Sequence, residues 1–139
     1  MRGDDRPPRL PFEAVRQARR VAVALALANA LPDAFKRVVL ARTDYFDDDG
    51  PIAYAITGGV AKAVLEMAQD DSRADDLAAF LWFAESLLAE RNDESTEMVE
   101  TGLVEDVVNI WSHERGPGLA VVMALCPPRM AALFDIQLS

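Results

Sequence analysis

Apolar and polar positions along this chain repeat at helical spacing almost throughout. Residues 12–30 are alanine-rich, and Val21 to Ala28 is apolar on every side, which predicts a central helix covered by several neighbours. Pro32 ends it, and Asp33 is placed to cap a short second helix through about Leu40 or Ala41. The stretch from Thr43 to Gly50 (TDYFDDDG) predicts a loop, and Pro51 suits the first turn of a third helix over 51–69. Gly58 and Gly59 fall inside that pattern and imply a break, a kink or a close backbone approach. Ser72 and Asp75 have capping-box spacing ahead of a fourth helix, about 74–91. Its Leu77, Phe80, Leu81, Ala84, Leu87 and Leu88 share one face.

Arg91-Asn92-Asp93 predicts a turn. A fifth helix over about 95–111 presents Val99, Leu103, Val107 and Ile110 to the core. Gly116-Pro117-Gly118 then breaks the chain, and helices over 119–126 and 129–136 flank Pro127-Pro128. Sustained strand alternation is absent. The pattern predicts an all-α single domain, a bundle of about six or seven helices that also suits stacked helical hairpins. Residues 1–11, polar and proline-rich, are expected to form a flexible N-terminal arm, and 12–139 the domain. Helices one, four and five are the expected centre.

Composition narrows the function classes. The chain has 139 residues, 51% of them hydrophobic, which suits a packed core. Its net charge of −9 repels phosphates, so nucleic acid and anionic membranes are disfavoured partners. A basic protein partner is steered towards such a surface. Arg19-Arg20, the apolar run and Ala28-Asn29-Ala30 mimic a signal peptide in order. The acidic residues and length of the leading segment favour a buried helix and a cytoplasmic protein.

Reaction chemistry is hard to place on these residues. Cys126 lies in an apolar run before Pro127, as a structural thiol would, and His113 is the sole histidine. Asp44, Asp47, Asp48 and Asp49 with Gly50 invite a calcium reading. With Gly50 at the sixth loop position, the first and twelfth would be Tyr45 and Ile56, which cannot ligate as that motif demands. The expectation is a protein that is not an enzyme, with no catalytic, cofactor or metal residues. A small hydrolase using clustered carboxylates is the least supported class.

Two groups of residues remain as candidates. Gly102, Glu105 and Asn109 share one face of the fifth helix, where glycine admits another backbone and the polar pair can satisfy a neighbouring loop or helix end. That predicts a framework role. Partner contact is expected from Asp44, Tyr45, Phe46, Asp47, Asp48 and Asp49, where two aromatics stand among aspartates. Glu97 and Glu100 form a second set. Trp82 lies off the apolar face with Ala78, Ala79 and Ser86 near it; packing under another helix is expected there, with a binding hot spot as the sharper reading.

The stretch LWFAESLLAERNDESTEMVETGLVEDVVN resembles the signature region of a small bacterial all-helical family of unassigned biochemistry. Members show F-x-x-x-E-x-L-L, a turn with an aspartate, and V-x-x-G-[FL]-[LV]-E-x-[LV]-x-N. The matching positions are Phe80 or Phe83, Leu87, Leu88, Asp93, Val99, Gly102, Leu103, Val104, Glu105, Val107 or Val108, and Asn109. The likeness covers about residues 44–115. Thr101 precedes the glycine, and Leu103 stands where an aromatic is common. Relatives are often encoded beside polymorphic secreted toxins. The resemblance implies an immunity protein that binds and occludes a cognate toxin domain of basic character. A helical adaptor or oligomerisation module without a toxin is the alternative, and homo-oligomers are compatible with either.

Overall fold

Helices account for nearly all the described backbone. The computed structural model describes residues 11–42, 46–47 and 50–139. In order they form α1 (Pro11–Asn29), α2 (Asp33–Leu40), β1 (Phe46–Asp47), β2 (Gly50–Pro51), α3 (Ala53–Ala68), a 3-10 turn (Asp71–Arg73) and α4 (Ala74–Ala89). Then come α5 (Asp93–Glu97), a π-helical segment (Met98–Val104), α6 (Glu105–Glu114), α7 (Gly118–Leu125) and α8 (Pro128–Leu138). The two strands are a minimal antiparallel pair, Phe46 opposite Pro51 and Asp47 opposite Gly50. The fold is an all-α single-domain bundle.

The centre of the bundle is α3. It touches α1, α2, the 3-10 turn, α4, the π segment, α6 and α7. Ala53, Ile56, Thr57, Val60, Ala61, Ala63, Val64, Leu65, Met67 and Ala68 are all buried and cover more than half of its circumference, with Tyr54, Lys62 and Glu66 exposed on the remaining side. This corrects the expectation that α1 is central. In α1 only Ala24, Leu27 and Ala28 are fully covered, while Val21, Val23 and Leu25 are half-buried and Ala22 is exposed. An alanine-rich run is apolar by composition, but small side chains lose little by facing water, so its pattern does not fix how many sides are covered.

Gly58 and Gly59 leave α3 unbroken. The helix begins at Ala53 behind an Ile52 cap, so Pro51 belongs to the strand pair rather than the first helical turn. The face of α4 reads as its spacing predicts: Leu77, Phe80, Leu81, Ala84, Leu87 and Leu88 are buried. Capping differs from expectation at two places. Asp33 is the first residue of α2 and pairs with Lys36 at 3.5 Å instead of capping. Asp70, not Ser72, caps the turn before α4, accepting from Ser72 N at 3.0 Å and Ser72 Oγ at 2.6 Å. That double bond holds the Asp70 carboxyl below its usual range. Asn92 caps α5 through the Glu94 and Ser95 amides, both at 3.1 Å.

The segment after Asn92 is one continuous helix from 93 to 114 with a π run at its middle. The run spans Gly102. A β-carbon there would stand 2.8 Å from Thr57 Oγ1 on α3, closer than real contacts allow. Thr57 is fully buried and donates that hydroxyl to the Tyr54 carbonyl at 3.0 Å, so its side chain is held in place. Glycine at 102 is the condition for α3 and the π segment to meet this closely.

Candidate functional site

Among the described residues, the largest exposed aromatic surface is on α4. Trp82 is 59% exposed, which overturns the expectation that it packs under another helix. The apolar face of α4 is turned into the core by Leu77, Phe80, Leu81 and Ala84, and Trp82 is left on the other side. Ala78, Ala79 and Ser86 surround it at helical spacing, so nothing bulky on α4 shields the indole. Asp75, one residue into the helix and nearly two turns before Trp82, lies on the same stripe and is exposed, as are Asp71, Asp76 and Glu90. The result is a surface of small residues with one large exposed aromatic and acidic ends.

Glu97 is tied into the fold. Arg20 reaches it with a fork, Nη2 to Oε1 at 3.1 Å and Nε to Oε2 at 2.9 Å. The Tyr54 hydroxyl also donates to Oε2. Arg16 lies 4.0 Å from Oε1. Burial acts to raise the Glu97 carboxyl, but the hydrogen bonds from Tyr54 and Arg20 outweigh it, and the group ends below its ordinary value. Burial first, then the bond to Glu97, push the Tyr54 phenol up to about 12. Next to this, the buried Glu94 faces Arg16 at 3.8 Å and Arg19 at 3.9 Å. The basic residues ahead of the apolar run of α1 therefore clamp α1 onto α5. Glu97 is half-buried with its acceptors occupied, and Glu100 is exposed.

Glu105 and Asn109 are exposed, and they line a polar recess of about 340 Å³ with Asp106, Ser112 and Gln137. Neither side chain holds a helix end among the described residues; that work falls to Glu85. This carboxylate is 4% exposed and accepts from Arg129 N at 3.1 Å and Met130 N at 2.9 Å, with the Arg129 guanidinium at 3.3 Å. It closes the N-terminus of α8, satisfying amides that no turn of the helix can. The sequence carries the signal: Glu85 interrupts the apolar face between Ala84 and Leu88, where a charge must find partners.

Within the recess, burial, and then neighbouring Glu105, push the Asp106 carboxyl up to about 6. Burial, and then Glu85, push the Cys126 thiol up to about 12, which makes it a poor nucleophile at neutral pH. His113 turns Nδ1 to the Asn109 carbonyl of its own helix at 2.9 Å. Among the described residues no group of three His, Cys, Asp or Glu side chains could hold a metal ion. Nor is any described helix long and apolar enough to cross a membrane. The expected contact loop is described only in part: Asp44, Tyr45, Asp48 and Asp49 lie outside the described residues, and Phe46 and Asp47 contribute their backbone to β1.

The fold and these surfaces define an all-α bundle with an exposed tryptophan on α4. Comparison with protein-family models, curated proteins and solved structures finds no match to this chain.

Proposed function

We propose that this chain is a cytoplasmic immunity protein that neutralises a cognate toxin domain by stoichiometric occlusion. The observation that carries the reading is the exposure of Trp82 between small residues and acidic ends on α4. A monomer gains nothing by holding an indole in water, whereas tryptophan is a leading residue of interface hot spots. Aspartates around it suit a basic partner, whose cations can meet both the carboxylates and the indole face. A net charge of −9 adds long-range steering towards such a partner. The acidic loop with Tyr45 and Phe46 belongs to the same reading on sequence grounds.

Co-expression with a toxin domain found encoded beside the gene for this chain tests it. The parent should restore growth, and Trp82→Ala should lose protection while melting like the parent. Absence of protection by the parent would overturn the immunity reading. It would leave the adaptor or oligomerisation module, for which Trp82→Ala should change the assembled mass in sedimentation instead.

A further inference from the structure

The two halves of α1 are held by different forces. The second half is packed, with Ala24, Leu27 and Ala28 fully buried in the core. The first half, residues 12–20, has no buried side chain. Its apolar residues Phe12, Ala14, Val15 and Ala18 are all exposed, Phe12 at 58% and Val15 at 49%. Apolar burial therefore does little to hold this half down. A stretch this short is also marginal as a helix by itself, because isolated helices need about 12–15 residues to persist in water.

Charge supplies the tether, and it is graded along the helix. Arg16 Nε and Arg19 Nη1 lie 3.8 and 3.9 Å from Glu94 Oε1, too far for the short charge-assisted bonds that hold best. Their side chains are 48 and 59% exposed, so water and salt reach them. Arg20 is largely covered and forks Glu97 at 2.9 and 3.1 Å, where Tyr54 shares the acceptor. Glu94 and Glu97 both belong to α5. The tether is thus weak towards Pro11 and firm at Arg20, one turn before the first buried residue, Ala24.

We propose that residues 12–19 of α1 form an electrostatic strap that opens from the folded bundle, hinged at Arg20. Closed, the strap covers Glu94 and neutralises it with Arg16 and Arg19. Open, it turns a buried, paired carboxylate into a hydrated negative group on the α5 surface. Hydration of Glu94 offsets part of the ion pairing that is lost, so opening is not strongly opposed. Opening is local and leaves the melting transition of the bundle single. The proposal concerns the free chain and does not rest on the immunity reading.

Hydrogen exchange of the full chain, resolved by amide, tests it at about 0.1 M and about 1 M sodium chloride, between which the screening length falls from about 10 to about 3 Å. The amides of residues 16–19 should exchange about fivefold faster at high salt, as expected for screening of an exposed ion pair. The amides of Ala24, Leu27 and Ala28 should keep their rates, which separates the strap from global unfolding. The double variant Arg16→Gln with Arg19→Gln should show the fast rates at low salt already and lose most of the salt response. Both positions are exposed, so it should melt like the parent. Glu94→Gln should match it, because it removes the shared acceptor charge. Salt-independent exchange at residues 16–19, or parent-like rates in the double variant, overturns the proposal. So does exchange at residues 16–19 that tracks Ala24, Leu27 and Ala28 in every condition, because α1 would then open as one unit.

Discussion

Gly102 and Thr57 meet so closely that a methyl group at 102 would lie 2.8 Å from the Thr57 hydroxyl oxygen. Gly102→Ala should therefore destabilise the protein by about 1–3 kcal/mol, the range for overpacking a filled core. At an open helical position the same change would stabilise by about 1 kcal/mol, so the sign of the effect reports the contact. In the double variant with Thr57→Ala, part of the loss should return. Urea melts of the four proteins measure the coupling, and additive losses would show that the two side chains do not compete for space.

Glu85 should be the costliest single carboxylate to remove. Glu85→Ala leaves the Arg129 and Met130 amides without their acceptor at the start of α8. A loss of about 2–4 kcal/mol is expected for stranding buried donors. Glu85→Gln keeps one acceptor oxygen and should lose less. Hydrogen exchange provides the local readout: the 129 and 130 amides should exchange far faster in Glu85→Ala.

Asp106 makes the stability pH-dependent in a direction opposite to a salt-bridged carboxylate. Its pKa rises from 3.8 to about 6 on folding, so the folded state holds the proton more tightly. The penalty for ionising it is absent below 3.8, builds up through the interval and is complete above about 6. Asp106→Asn should thus stabilise by about 1–2 kcal/mol at pH 7, after discounting for partial exposure, and by almost nothing at pH 3.5. Denaturant melts at the two pH values check it. An equal effect at both would mean the gain is not electrostatic.

Tyr54 should ionise about two pH units later than a free phenol, at about 12. The protein has one other tyrosine, Tyr45, so a Tyr45→Phe background isolates the signal. Ultraviolet difference titration should show a late transition, and Glu97→Gln should bring it down by removing the acceptor charge. A Tyr54 transition near 10 would mean that the hydroxyl does not reach Glu97 in solution.

Much of the fold is legible where the sequence repeats a strong period. The α4 stripe and the stops at Pro32, Gly116 and Pro127 need only side-chain spacing and backbone chemistry, and the structure reproduces them. Three features escape that logic. The central place of α3 escapes because Lys62, Glu66 and two glycines dilute its apolar pattern, while the alanines of α1 overstate theirs. The π run escapes because a change of hydrogen-bond partner leaves no mark in composition. Among the candidate contacts, Trp82 and Glu97 trade places with expectation: the tryptophan is open, and the glutamate is committed to Arg20 and Tyr54. Which face a residue occupies can be read from its neighbours in sequence. Which partner arrives from 43 or 77 positions away cannot.

Because α3 borders seven other elements, the chain has no half with a core of its own. Helices α1 and α2 precede it and have little to bury until it forms, and α6 and α7 close on it from later in the chain. Assembly should therefore be all-or-none, with one unfolding transition seen alike by every probe. A cut or a proline inside residues 53–68 should not loosen one corner of the molecule. It should remove the native state altogether, and fragments split at that helix should regain helicity only when mixed.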